Sequence, residues 1–131
     1  MAEGSPFEPA DVSEFHAVLD ERRIGAVFQP VVDLDSGEPV GFEALARGPA
    51  DSRLTSPGVL FDLAYRTGRV AELDWVCRAV AFREALAAEL PPSLPLFVNV
   101  EPSVLGMSCP SGSAACSPGS DRTVAGGHGG Y

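Results

Sequence analysis

The sequence predicts an α/β fold in which strands and helices alternate and pack in layers. Two short runs rich in strand-forming residues, 26–34 and 39–47, precede two segments with helical apolar spacing. The almost wholly apolar run 96–100 then follows, which is typical of a parallel strand covered on both faces. The 131 residues are enough for one small domain.

A helix is predicted first, at residues 11–23. Asp11 and Glu14 have the spacing of a capping box, and apolar residues then recur at helical intervals. Residues 26–34 form the first predicted strand, which contains Pro30. Because proline cannot donate a ladder hydrogen bond, Pro30 indicates a strand start, a bulge or an edge strand.

The second strand is predicted at residues 39–47, after the turn sequence 35–37. Two strands this close along the chain can pair as an antiparallel hairpin. The next helix is predicted to begin at Pro57, because proline is favoured at the first helical position. It ends at about Thr67, since Gly68 is a typical C-terminal stop.

A longer helix is predicted at residues 70–90, where three prolines follow its end. Asp74 and Arg78 lie four residues apart on this helix and can form an ion pair. Cys77 falls on the apolar stripe, which predicts a core residue rather than a reactive thiol. The third strand is predicted at residues 96–100.

Charge and composition exclude several classes of protein. Nine basic residues against eighteen acidic ones give a net charge of −9, which argues against a binder of nucleic-acid polymers. No apolar run approaches the roughly 18 residues of a membrane span. The N-terminus lacks the basic and apolar regions of a signal peptide, so we expect a cytoplasmic protein.

The composition divides the chain into three parts. Residues 11–106 hold nearly all the apolar periodicity and are the predicted domain, preceded by a disordered N-terminus at 1–10. In residues 107–131, 13 of the 25 positions are Gly, Ser or Pro. Because such a segment buries little apolar surface, we predict a disordered low-complexity tail there.

Polar side chains on the predicted strands are the candidate functional residues. Glu43, Leu45 and Arg47 share one face of their strand, because strand side chains alternate. Glu43 has two interpretations: an internal ion pair with Arg47, or a cation ligand. Asn99 either bonds a neighbouring loop or supplies an oxygen to a hard divalent metal. Gln29 either bonds a ligand or satisfies an edge carbonyl.

Several of these residues belong to recognisable motifs. The segments FQPVV at 28–32 and GFEALAR at 41–47 resemble the opening of the EAL domain family, which is named after its Glu-Ala-Leu triplet. LDWV at 73–76 and FVNV at 97–100 follow in the order that the family has. A lone Glu-Ala-Leu is a weak signal, but the ordered set over residues 26–105 is specific.

The resemblance implies a (β/α)₈ barrel whose first strand runs antiparallel to the others. It also implies phosphodiesterase activity that linearises cyclic di-GMP to pGpG with two Mg²⁺ or Mn²⁺ ions, in bacterial second-messenger signalling. By their positions in the motifs, Glu43 and Asn99 match metal ligands of the family. Gln29, Leu45 and Arg47 match positions that contact the nucleotide, with Arg47 placed for a phosphate oxygen.

The sequence also departs from the family pattern. Gly48 stands where a large residue is usual, and Glu101 where a serine is frequent. The chain has no lysine and no Asp-Asp pair, both of which the family uses later in the barrel. A complete barrel needs roughly 250 residues. We therefore expect the first part of a truncated barrel, inactive as this chain.

The alternative is a non-catalytic module that senses cyclic di-GMP or binds another protein. A measurable affinity for cyclic di-GMP would favour the sensor. A three-stranded piece of barrel would leave exposed edges and apolar faces, for which a homodimer or a partner chain is the expected cover.

Overall fold

The computed structural model describes residues 6–109, which form three helices and three strands. Short 3₁₀ turns at Arg53–Thr55 and Pro102–Val104 complete the path. The order along the chain is α1 Pro9–Asp20, β1 Gly25–Val32, β2 Pro39–Arg47, α2 Pro57–Thr67, α3 Val70–Ala87 and β3 Leu96–Val98. The predicted α/β class and the predicted order of elements are confirmed.

The three strands form one sheet in the order β1, β2, β3. β1 pairs with β2 antiparallel, which confirms the hairpin, and β2 pairs with β3 in parallel. Pro30 lies in β1, at an edge of the described sheet, one residue before a register shift between Val31 and Val32. A proline is tolerated at such an edge because no neighbouring strand needs its missing N–H.

The N-terminal boundary differs from the prediction. α1 begins at Pro9 instead of residue 11, and the capping box is formed by Glu8 and Asp11 rather than by Asp11 and Glu14. Phe7 is buried in the core, with the guanidinium of Arg53 5.1 Å from its ring centre. The core therefore includes one aromatic side chain from the segment before residue 11.

Two elements near the C-terminal end are shorter than predicted. α3 ends at Ala87 rather than at residue 90, and β3 has three residues rather than five. The second strand and the helix that begins at Pro57 have the predicted bounds. Most of the predicted tail falls on residues 110–131, which lie outside the described residues, as do residues 1–5.

The core lies between the three helices and one face of the sheet. Its fully buried side chains come from α1, α2, α3 and the 3₁₀ turn between β2 and α2; the largest are Phe15, Leu19, Leu54, Leu60, Leu63 and Leu73. Full burial of each such side chain stabilises the fold by about 1.5–3 kcal/mol. Among residues 6–109, the helices cover one side of the sheet, while Val27 and Phe97 on its other face stay partly exposed.

Within residues 6–109 the sheet has three strands and does not close into a barrel. In this part of the chain, the barrel that the sequence resemblance implies is represented by an antiparallel first pair and one parallel pair. In the same part of the chain, no helix is both long and apolar enough to cross a membrane.

Candidate functional site

One face of the sheet carries the five residues that the sequence singled out. In the β1–β2 register Gln29 lies opposite Glu43, and residues directly opposite each other share a face. Alternation along β2 adds Leu45 and Arg47 to that face. Asn99 follows β3 and its side chain reaches Glu43. We call Gln29, Glu43, Leu45, Arg47 and Asn99 the site face.

A side-chain hydrogen bond on the site face joins Glu43 and Asn99. The Asn99 Nδ2 donates a hydrogen bond of 3.2 Å to the Glu43 Oε1. The parallel pairing of β2 with β3 sets this distance, since Ala44 lies opposite Val98, one residue from each partner. The oxygen and nitrogen of an asparagine amide exchange places by a half-turn of the side chain. A cation between the two groups could therefore be held by two oxygens.

Arg47 contacts a backbone carbonyl rather than Glu43, the partner considered from the sequence. Its Nη1 donates a hydrogen bond of 2.8 Å to the carbonyl of Ala46, its own neighbour. No Glu43–Arg47 ion pair is formed, because the Glu43 carboxylate is turned toward Asn99. The interpretation of Glu43 as the partner of Arg47 is therefore wrong, and both side chains keep capacity for a ligand.

Phe97 is an aromatic member of this surface that sequence analysis did not identify. It lies opposite Glu43 in the β2–β3 register and is 40% exposed. A Cβ atom on Gly41 would lie 2.6 Å from the Phe97 Cε2, so the ring lies directly over that glycine. Only a residue without a side chain permits this approach. Gly41 in the GFEALAR segment was therefore the sequence signal that could have indicated a ring at this position.

The comparison with known families agrees with this geometry. A family model described as the EAL domain matches residues 13–108, which is most of the chain. This chain belongs to the EAL domain family. The match includes both strands with the site-face residues and the loop after β3. Among curated proteins, none matches the chain.

EAL domains are a family of cyclic di-GMP phosphodiesterases that are generally metal-dependent, and their fold is a TIM-type barrel. In this EAL chain, however, residues 6–109 contain no group of three or more His, Cys, Asp or Glu side chains that could hold a metal ion. On the described part of the site face, the Glu43 carboxylate and the Asn99 amide are the polar groups in contact with each other. Mg²⁺ accepts so few protein ligands only when waters or substrate phosphates complete its octahedron.

Hydrogen bonds to two helices hold the loop after β3, and the sequence analysis predicted neither of them. The backbone N–H of Glu101 donates a hydrogen bond of 2.9 Å to the Asp74 Oδ1 on α3. The Tyr65 phenol on α2 donates to the Glu101 carboxylate and also contacts Ser103. The bond to Glu101 raises the pKa of Tyr65 above its ordinary value. Glu101 thus bridges two helices in this EAL chain.

A small apolar cavity of about 100 Å³ borders the site face, because Leu45 and Asn99 are among its lining residues. Ala26, Ala44, Phe61 and Cys77 are among its lining residues, between the sheet and helices α2 and α3. Burial raises the pKa of the Cys77 thiol to about 12, and the nearby Asp74 carboxylate adds to the shift. Because the thiolate is the nucleophilic form, Cys77 is a packing residue, as predicted.

Proposed function

We propose that the site face is part of a cyclic di-GMP site. Glu43 and Asn99 would hold Mg²⁺ or Mn²⁺, while Gln29, Leu45 and Arg47 would contact the nucleotide. The observation that carries the proposal is the 3.2 Å contact between the Glu43 carboxylate and the Asn99 amide. Its support from the family is that both residues stand in segments matched by the EAL domain.

The chemistry of these side chains suits the proposed ligands. Carboxylate and amide oxygens are the donors that Mg²⁺ and Mn²⁺ prefer. Such ions, when bound in pairs, activate a water and neutralise the attacking and leaving oxygens of a phosphodiester. Arg47 could bind a phosphate oxygen through the guanidinium, once it leaves the Ala46 carbonyl to which it now donates.

We propose further that this 131-residue chain does not hydrolyse cyclic di-GMP by itself, as expected of the first part of a barrel. Two oxygen ligands are too few for a tight metal site without further support. The lysine and the paired aspartates of the family do not occur in its sequence. A reaction that needs two correctly placed ions therefore lacks most of its protein groups.

The test is to incubate the purified chain with cyclic di-GMP and Mn²⁺ and to follow pGpG by chromatography. We expect no product above the no-protein control. Formation of pGpG that is lost in Glu43→Gln would overturn the proposed inactivity. Binding of Mn²⁺, measured in the same preparation by the loss of its free-ion resonance, should be weak and should decrease further in Glu43→Gln.

A non-catalytic role in sensing cyclic di-GMP or binding a protein is the second candidate, and exposure of the site face favours it. Val27 is 45% exposed and Phe97 is 40% exposed on the same side as Arg47 and Gln29. A nucleotide, a second copy of the chain or a partner chain could cover this surface. Saturable binding of cyclic di-GMP without hydrolysis, weakened by Arg47→Met, would favour the sensor. A cytoplasmic location also stays a prediction.

A further inference from the structure

Asp74 carries a buried carboxylate and is not one of the site-face residues. It lies on α3 with 1% of its surface exposed. Burial of a charged group is costly unless its oxygens are paired and hydrogen-bonded. One oxygen, Oδ2, forms an ion pair with Arg78 on the next turn of the helix. The other, Oδ1, accepts the Glu101 N–H at 2.9 Å, so Asp74 ties α3 to the loop after β3.

The carboxylate is itself held in place. The Arg78 guanidinium that pairs with it stacks over the Trp75 ring, with 4.4 Å between the guanidinium carbon and the ring centre. Stacking of this kind restrains the arginine through cation–π attraction. Asp74 can thus present Oδ1 to the loop from a fixed position, rather than as a freely rotating surface side chain.

The two ends of a very short segment are then fixed on either side of Asn99. Val98 is the last residue of β3 and pairs with Ala44 of β2. Glu101 is held by Asp74 through its backbone N–H. Only Asn99 and Val100 lie between these two points. The backbone of Asn99 consequently has little freedom, and its amide is kept within reach of the Glu43 carboxylate.

We propose that Asp74 is a positioning residue, which acts through the Glu101 backbone to hold the Asn99 amide against Glu43. One consequence of this inference rests on the proposed function, namely that the affinity for metal depends on Asp74. The positioning itself concerns two hydrogen bonds in the protein without metal. It can therefore be tested separately.

The sharpest test removes the donor and leaves Asp74 in place. Glu101 has a φ angle of −66°, which is the value that a proline ring imposes. Glu101→Pro should therefore keep the backbone path while deleting the N–H that Asp74 accepts. Glu101→Ala is the matched control, because it also loses the carboxylate that Tyr65 contacts but keeps the N–H.

The readout is the side-chain amide signal of Asn99 in a ¹⁵N-correlated proton spectrum, assigned with Asn99→Asp. We expect Glu101→Pro to move this signal toward the position of a free amide, whereas Glu101→Ala leaves it near the wild-type position. Asp74→Ala should behave like Glu101→Pro. Unchanged Asn99 signals in both folded Glu101→Pro and folded Asp74→Ala would overturn the proposal.

Titration with Mn²⁺ separates this inference from the proposed function. We expect Glu101→Pro to weaken Mn²⁺ binding about tenfold relative to Glu101→Ala, as is typical when support for a ligand is lost. If the Asn99 signal responds but the wild type binds no Mn²⁺, positioning is supported and the metal site is refuted. If Mn²⁺ binds through Glu43 and Asn99 equally well in both Glu101 variants, the dependence of metal affinity on Asp74 is refuted and the metal site stands.

Discussion

The Asn99 amide lies 3.2 Å from the Glu43 carboxylate, although 56 positions separate the two residues along the chain. The contact depends on the parallel pairing of β2 with β3. β3 is only three residues long. Two helices and a loop connect these strands, and one of those helices also fixes the segment that follows Asn99. The proposed ligand pair is therefore a product of the fold and not of a local motif.

Replacement of Glu43 by glutamine should weaken Mn²⁺ binding at least tenfold with little effect on folding. Loss of the carboxylate removes the anionic ligand, while glutamine retains the shape of the side chain and can still bond to Asn99. Glu38→Gln, in the exposed turn before β2, is the matched control for removal of one negative charge. Mn²⁺ titration and thermal unfolding would measure both effects. Equal affinities of the two variants would contradict the proposed role of Glu43.

Replacement of Gly48 by alanine should destabilise the domain by about 2 kcal/mol or more, in the range of severe overpacking. An added Cβ would lie 2.0 Å from the Leu54 carbonyl oxygen, so the backbone of the loop would have to shift. Gly58→Ala, in the first turn of α2, is the control, because its Cβ meets nothing closer than 3.6 Å. Urea unfolding should separate the two variants, and equal midpoints would contradict the expected clash.

The Cys77 thiol should react slowly with an aromatic disulfide reagent at pH 8, where only a very small fraction is thiolate. The test uses a chain with Cys109→Ser and Cys116→Ser, so that a single thiol is observed. Labelling should become fast in urea, because unfolding restores the ordinary pKa. Fast labelling of the folded chain at pH 8 would contradict the burial of this thiol.

The same shift predicts a loss of stability in alkali. Burial raises the Cys77 pKa from about 9 to about 12, so between these values the unfolded chain releases a proton that the folded chain retains. The contribution to stability is thus complete below pH 9 and declines as the pH rises toward 12. Cys77→Ala should show a smaller decrease in unfolding free energy over this interval, measured by urea titrations at several pH values. An equal slope in both chains would contradict the linkage.

Replacement of Arg69 by methionine should destabilise the domain by about 1–2 kcal/mol. The guanidinium donates to Glu72 at 2.9 Å and to Asp20 at 2.6 Å, and it also contacts His16. These bonds raise the pKa of Arg69 and connect α1 to the start of α3. Arg83→Met, on the exposed side of α3, is the control, and thermal unfolding is the measurement. A larger loss for Arg83→Met would contradict the importance of this network.

Local rules explain which elements the sequence predicted well. Turn residues and strand alternation define β2, and a proline start with a glycine stop defines α2, whose Gly68 has the expected left-handed φ of 72°. The predicted start of α1 was less accurate. Two pairs of acidic residues have the spacing of a capping box, Glu8 with Asp11 and Asp11 with Glu14, and packing decided that the first pair forms it. Glu14 is used elsewhere: it accepts a hydrogen bond from Ser52, 38 positions away.

The sequence by itself determined the α/β order, the family and the common face of Glu43, Leu45 and Arg47, because these follow from short-range periodicity and from motifs contiguous along the chain. Tertiary structure alone decided which partner Glu43 has. Both Arg47 and Asn99 were chemically suitable, and the parallel β2–β3 register brought Asn99 to it. The contact between Asp74 and Glu101 likewise required α3 to pack beside the loop. Such pairings depend on the packing of whole elements, for which neither residue type nor local spacing carries a signal.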